Sequence, residues 1–184
     1  MRRSRSLTAL CGVLLLSLAC GGGGGGGGGP VDPGPPAAAL TFTPGGTAGG
    51  NVVLLTRTGS TSGRDLELAV EAREVTSLYG VAFDLGYPAS VLSFEGATQG
   101  PFLSSGGFQV SLQVAEETGN LIVGVTRLGA VGGASGSGTL VTLRFTAVGS
   151  GGGDLTFSRT RAIDPQGQAI DDVAFVGGSV QSTF

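Results

Sequence analysis

The sequence predicts an all-β protein whose folded part is a single antiparallel sandwich of eight or nine strands. Three observations predict it. Apolar residues recur with a period of two: Leu66, Leu68, Val70 and Ala72 alternate with Glu67, Ala69, Glu71 and Arg73. The same alternation runs through Val81, Phe83, Leu85 and Tyr87, through Phe108, Val110, Leu112 and Val114, through Leu121, Val123 and Val125, and through Leu143, Phe145 and Ala147. Such alternation buries one face of a strand and wets the other, as antiparallel sheets do. Turn-forming clusters separate the runs: Ser62-Gly63, Thr118-Gly119-Asn120, Gly149 to Gly153, and Asp164-Pro165-Gln166-Gly167. No window of about a dozen residues carries helical periodicity.

In chain order, the first element is a leader. Arg2, Arg3 and Arg5 form a basic start, and Leu7 to Ala19 form an apolar run too short to span a bilayer. It ends in Ser17-Leu18-Ala19-Cys20, a small residue directly before cysteine, which a bacterial lipoprotein signal peptidase reads. Ser17 stands where the usual motif has Leu. The expected mature chain begins at Cys20, acylated on its thiol and amine; the alternative is an ordinary secretory signal cleaved nearby, leaving Cys20 a spare thiol. Gly21, rather than Asp, follows Cys20, which favours the outer membrane or cell surface over inner-membrane retention. Either way the protein is exported.

Residues 20–38 hold only Cys, Gly, Pro, Ala, one Val and one Asp, including nine consecutive glycines from Gly21 to Gly29. A segment of this composition forms no core and acts as a flexible tether, stiffened locally by Pro30 to Pro36, with an end-to-end distance of roughly 20–25 Å. Residues 39–184 form the domain. About 145 residues are enough to close one sandwich over a dry interior. The Gly-rich stretch from Gly129 to Gly138 is expected to be a mobile loop. It is no phosphate cradle, because no Lys follows and no helix begins there.

Composition excludes much chemistry. The chain has no His and no Lys, and once Cys11 leaves with the leader Cys20 is the only cysteine. Ser-His-Asp and Cys-His catalysis, His- or Cys-ligated zinc and an intramolecular disulfide are therefore ruled out. Without the three leader arginines, seven basic residues face 13 acidic ones, a net charge of −6 that disfavours nucleic acid. A carboxylate pair of the glycosidase kind would need a cleft and stacking aromatics, and the chain has no Trp and only two Tyr. No enzyme is expected, and no cofactor.

The run Gly80-Val81-Ala82-Phe83-Asp84-Leu85-Gly86-Tyr87-Pro88-Ala89-Ser90-Val91-Leu92 resembles a cohesin domain, where an alternating strand ends in a Tyr-Asp-Pro-x-x-Leu-like corner. Gly138-Thr139-Leu140-Val141-Thr142-Leu143-Arg144-Phe145 is similar to the family's late strand, and Asp164-x-x-Gly167-x-x-Ile170 with Gly177-Gly178-Ser179-Val180 to its final hairpin. The resemblance covers most of residues 50–182. It implies a flattened nine-stranded jelly roll that presents one sheet face to a dockerin, a small calcium-loaded helical module usually carried by secreted polysaccharide-degrading enzymes. Any calcium then belongs to the partner. Many cohesins carry Asn and Asp where this chain has Gly80 and Ala82, and the corner lacks the Asp before Pro88, so the resemblance implies a different contact set here.

Alternation turns Gly80, Ala82 and Asp84 outward on one strand, Gly124 and Thr126 on a second, and Gln109, Ser111 and Gln113 on a third. A flat face of small, uncharged residues lets a helix approach closely, with amides and hydroxyls to bond it and Asp84 as its main charge. Asp164, Asp171 and Asp172 are weak candidates for gathering calcium, set against a simple hairpin turn. The rival reading is a carbohydrate-binding sandwich. Tyr79 and Tyr87 share an inward parity, and Phe94, Phe102 and Phe108 are expected in the core, so no aromatic platform is expected, while a polar cleft for a soluble glycan stays open. A structural envelope role without a specific ligand is the third reading.

Overall fold

The computed structural model describes residues 39–46, 49–59 and 63–183. The leader, the lipidation site at Cys20, the tether and the Ser62 half of the first turn signal lie outside them. Alternating side chains and Gly-rich turns build eleven strands: β1 (Ala39–Pro44), β2 (Val52–Thr58), β3 (Asp65–Leu78), β4 (Gly80–Gly86), β5 (Leu92–Gln99), β6 (Val110–Glu117), β7 (Asn120–Arg127), β8 (Ala134–Ala147), β9 (Gly151–Ile163), β10 (Ala174–Val176) and β11 (Gly178–Thr183). They form a six-stranded sheet in the order β1-β11-β9-β4-β7-β6 and a five-stranded sheet in the order β10-β2-β3-β8-β5. The all-β sandwich is the one expected, with eleven strands in place of about nine. Among the described strands the one departure from antiparallel pairing is the short contact of β10 with β2.

The inward residues read from the sequence meet between the sheets. Leu66 and Leu68 of β3, Phe83 and Leu85 of β4, Leu121 and Val123 of β7, and Leu143 and Phe145 of β8 are almost fully buried. Each such side chain contributes roughly 1.5–3 kcal/mol of transfer free energy. Phe145 anchors one end, with the Tyr87 ring 5.4 Å and the Phe94 ring 5.6 Å from it, centre to centre. Phe157 stands edge-on to Phe83 at 5.0 Å and to Phe175 at 5.6 Å at the other. The Tyr87 hydroxyl donates to Glu116 Oε1 at 2.7 Å. Burial first, then that bond to a carboxylate, pushes the phenol up to about 12, so it remains a neutral donor across the physiological range.

Three expectations are corrected. Residues 129–138 are not a loop throughout, because β8 begins at Ala134. Opposite it, Glu74 and Ser77 adopt left-handed φ values of 50° and 55°, and the β3–β8 register slips. Their N–H groups donate instead to the hydroxyls of Ser137 at 3.0 Å and Ser135 at 2.9 Å. Glycine and serine here are parts of a bulged ladder, which composition alone reads as a loop. Phe108 is not in the core: it is 37 % exposed, with the Arg127 guanidinium 4.5 Å from its ring centre. The third correction concerns the last connection. β9 and β11 pair antiparallel as a final hairpin would, but between them the chain descends to the other sheet as β10 and returns through Gly177. A Cβ at Gly177 would run into the Leu155 carbonyl oxygen, so only glycine makes that crossing without displacing β9.

Candidate interaction face

The candidate face is the outer side of β6, β7, β4 and β9, and sheet register builds it. Gln113 of β6 lies opposite Gly124 of β7, Gly124 opposite Ala82 of β4, and Ala82 opposite Arg161 of β9. One step along, Ser111, Thr126, Gly80 and Ile163 form a second row. With Gly124 and Ala82 in the middle of the first row and Gly80 beside Thr126 in the second, the sheet sinks into a hollow of about 280 Å³. Its floor is open at Gly124, where a Cβ would meet nothing within 4 Å. At Gly80 a Cβ would stand 2.7 Å from Thr126 Oγ1, so the threonine already fills that space.

Six of the eight residues expected on this face line the hollow: Gly80, Ala82, Ser111, Gln113, Gly124 and Thr126. Gln109 is exposed just before β6, beyond the hollow, and its carbonyl accepts the Leu128 N–H at 2.9 Å. Asp84 is the correction. It keeps the outward parity but is only 5 % exposed, because β9 folds an arginine over it. Between the pairs Ala82–Arg161 and Asp84–Ser158 the register shifts by one residue, and in that bulge Arg159 has a φ of 47°. Its Nε donates to Asp84 Oδ2 at 2.6 Å, its Nη2 bonds the same oxygen, and Asn120 Nδ2 adds a third contact at 3.3 Å. Asp84 is therefore neutralised and covered rather than the main charge of the face.

The free charge is one that alternation in β4, β6 and β7 could not reveal. Arg161 is exposed on the rim of the hollow, and its side chain has no hydrogen bond or ion pair to another described residue. Ile122, 38 % exposed, and Leu128, 47 % exposed, share the outward parity of Gly124 and bracket the hollow along the β7 direction. The signal for Arg161 was the pair Arg159 and Arg161, two cations two residues apart in a chain of net negative charge. None of the residues lining the hollow is aromatic, whereas a planar sugar platform needs stacked rings.

The weak calcium candidates do not converge. Asp164 Oδ1 accepts the N–H groups of Gln166 and Gln168, both at 2.9 Å, and so closes the turn in which Gly167 takes a φ of 76°. Asp171 and Asp172 are exposed, and the Asp172 carbonyl accepts from Asn51 Nδ2 at 3.1 Å. Among the described residues no three acidic or sulfur-bearing side chains gather as a metal site.

The described residues thus form a two-sheet β-sandwich with a hollow of small residues on one outer face. Residues 50–181 match the family model of the cohesin domain, and the chain belongs to that family. Among solved structures it is similar to a non-cellulosomal cohesin from the archaeon Archaeoglobus fulgidus, at 20 % identity and a TM-score of 0.51 over 76 % of this chain and 88 % of that one. It is also similar to the second type II cohesin module of the adaptor ScaA scaffoldin from Acetivibrio cellulolyticus, at 15 % identity and a TM-score of 0.58 over 81 % and 99 % of the two chains. A third likeness is to a type II cohesin–X-dockerin complex from Acetivibrio cellulolyticus, at 12 % identity and a TM-score of 0.56 over 73 % and 95 %. At these identities the likeness is one of fold. The chain has no significant match among curated proteins.

Proposed function

We propose that this chain is a non-catalytic docking module that binds dockerin-like protein partners, among them polysaccharide-degrading enzymes, at the bacterial envelope. The observation that carries the reading is the hollow on the β6-β7-β4-β9 face. From Gln113 to Arg161 it spans three strand spacings, about 14 Å. An α-helix with its side chains is about 10–12 Å across, so the trough is one helix wide. Glycine and alanine on the floor let a helix settle close to the sheet, while Gln113 and Ser111 at one edge and Thr126 on the floor offer amide and hydroxyl bonds. Membership of the cohesin family and the solved cohesin–dockerin complexes of the same fold support the partner class.

Gly124→Arg tests the reading cleanly, since its side chain would project into open space and the residue has no left-handed φ. Binding to calcium-loaded dockerin modules of the source organism is expected to fall by at least about tenfold, with the thermal midpoint unchanged. Retained affinity would place the partner on another surface. The anchor is part of the same proposal: residues 1–19 direct export, Cys20 is lipidated, and residues 20–38 hold the domain 39–184 clear of the membrane. Wild-type protein made in a bacterium is expected in the detergent phase and the Cys20→Ser variant in the aqueous phase. Equal partitioning of the two would remove lipidation at Cys20.

A further inference from the structure

We infer that Arg161 is a specificity-determining contact of this face and reads a carboxylate on the docked partner; the inference rests on the docking role proposed above. Four observations place it there. Arg161 ends the row Gln113–Gly124–Ala82–Arg161 and so stands at the rim of the trough, beside the body of any helix lying in it. The other arginine of the bulge, Arg159, is already committed to Asp84. The Arg161 guanidinium has no hydrogen bond or ion pair among the described residues. On the hollow side it faces Ala82 across the strand and Ile163 two residues along, while Asp171 lines a second cavity on its other side.

A docked helix would therefore strip water from a guanidinium that no side chain of the described domain bonds, although Asp171 lines a neighbouring cavity with it. Burying an unpaired cation is costly, whereas a carboxylate opposite it gains a charge-assisted bond that the planar guanidinium can make bidentate. A partner with Lys or Arg at that position is rejected by like-charge repulsion, so one residue both rewards and excludes. The polar contact that Gly80 and Ala82 do not supply on β4 is thus provided from β9. The partner helix carries small or aliphatic residues over Gly124 and apolar ones toward Ile122 and Leu128, with an Asp or Glu on its β9-facing flank.

The test measures binding of the full mature chain to calcium-loaded dockerin modules of the source organism at low and high sodium chloride, for wild type, Arg161→Gln, Arg161→Glu and Gly124→Arg. Arg161→Gln is expected to weaken binding by about tenfold at low salt and to flatten its salt dependence, with Arg161→Glu weaker still. Exchanging one acidic residue of the dockerin for Lys should restore binding to Arg161→Glu and abolish it to wild type. If Gly124→Arg abolishes binding while Arg161→Gln alters neither affinity nor salt dependence, the docking role stands and the carboxylate contact is wrong. If wild type binds no dockerin module, or Gly124→Arg leaves binding intact, the docking reading of this face fails and the inference falls with it.

Discussion

Replacing Arg127 with methionine is expected to lower the unfolding free energy by about 3 kcal/mol, although no carboxylate is paired with it. Arg127 is the last residue of β7, has inward parity and is 4 % exposed. Its guanidinium is satisfied by loop carbonyls: Nε donates to Leu103 O at 2.7 Å, Nη1 to Gly132 O at 2.5 Å, and Nη2 to Ser105 O at 3.3 Å, with the Phe108 ring stacked 4.5 Å away. One side chain thus ties the segment before β6 to the segment before β8. Methionine fills much of the volume but donates nothing, leaving the carbonyl of the buried Leu103 without its partner and releasing those of Ser105 and Gly132, whose residues are exposed. The thermal midpoint should fall by roughly 10 °C for a domain of this size. Arg127→Lys should lie between, because an ammonium has three donors but lacks the planar fork that reaches both segments. A loss under about 1 kcal/mol for methionine would mean that water already reaches those carbonyls.

Arg127 also marks what the sequence could not disclose. The parity of β7, read from Leu121, Val123 and Val125, points residue 127 inward, where an arginine is unexpected. Its acceptors lie 24 and 22 residues back and five residues ahead, in segments with no periodicity. What alternation does show is local: which side of a strand faces the core. Hence the inward sets on β3, β4, β7 and β8 were legible, and so were the six residues that line the hollow. What it does not show is any irregularity that changes phase. In β9, Leu155 and Phe157 face inward, the bulge at Arg159 adds a residue, and Ala162 faces inward again. A strict period of two therefore fails across residues 155–162, and with it went Arg161 and Ile163. The Gly-Ser stretch entering β8 was obscured in the same way, because the ladder there is completed by serine hydroxyls.

The same bulge decides how the Asp84–Arg159 pair responds to mutation, and the response is expected to be asymmetric. The Asp84 side chain is 7 % exposed and that of Arg159 is 71 % exposed. Removing the arginine leaves a buried carboxylate with Asn120 as its remaining side-chain donor. Removing the charge on the aspartate leaves an arginine that turns into water. Arg159→Ala should therefore cost about 2 kcal/mol after allowance for solvent screening, and Asp84→Asn about 1 kcal/mol, since the amide oxygen still accepts from Arg159. Asp84→Arg should cost most, about 4 kcal/mol, because it sets two guanidinium groups together in a covered site. Denaturant midpoints of the three variants check the order. If Asp84→Asn proves more damaging than Arg159→Ala, water reaches the carboxylate once the arginine is gone, and Arg159 is not its cover. The order also bears on docking. A charge reversal at Asp84 disturbs the sheet beneath the face, so lost binding in that variant reports on folding as well as on contact. Gly124, open above the floor, and Arg161, free at the rim, separate the two effects.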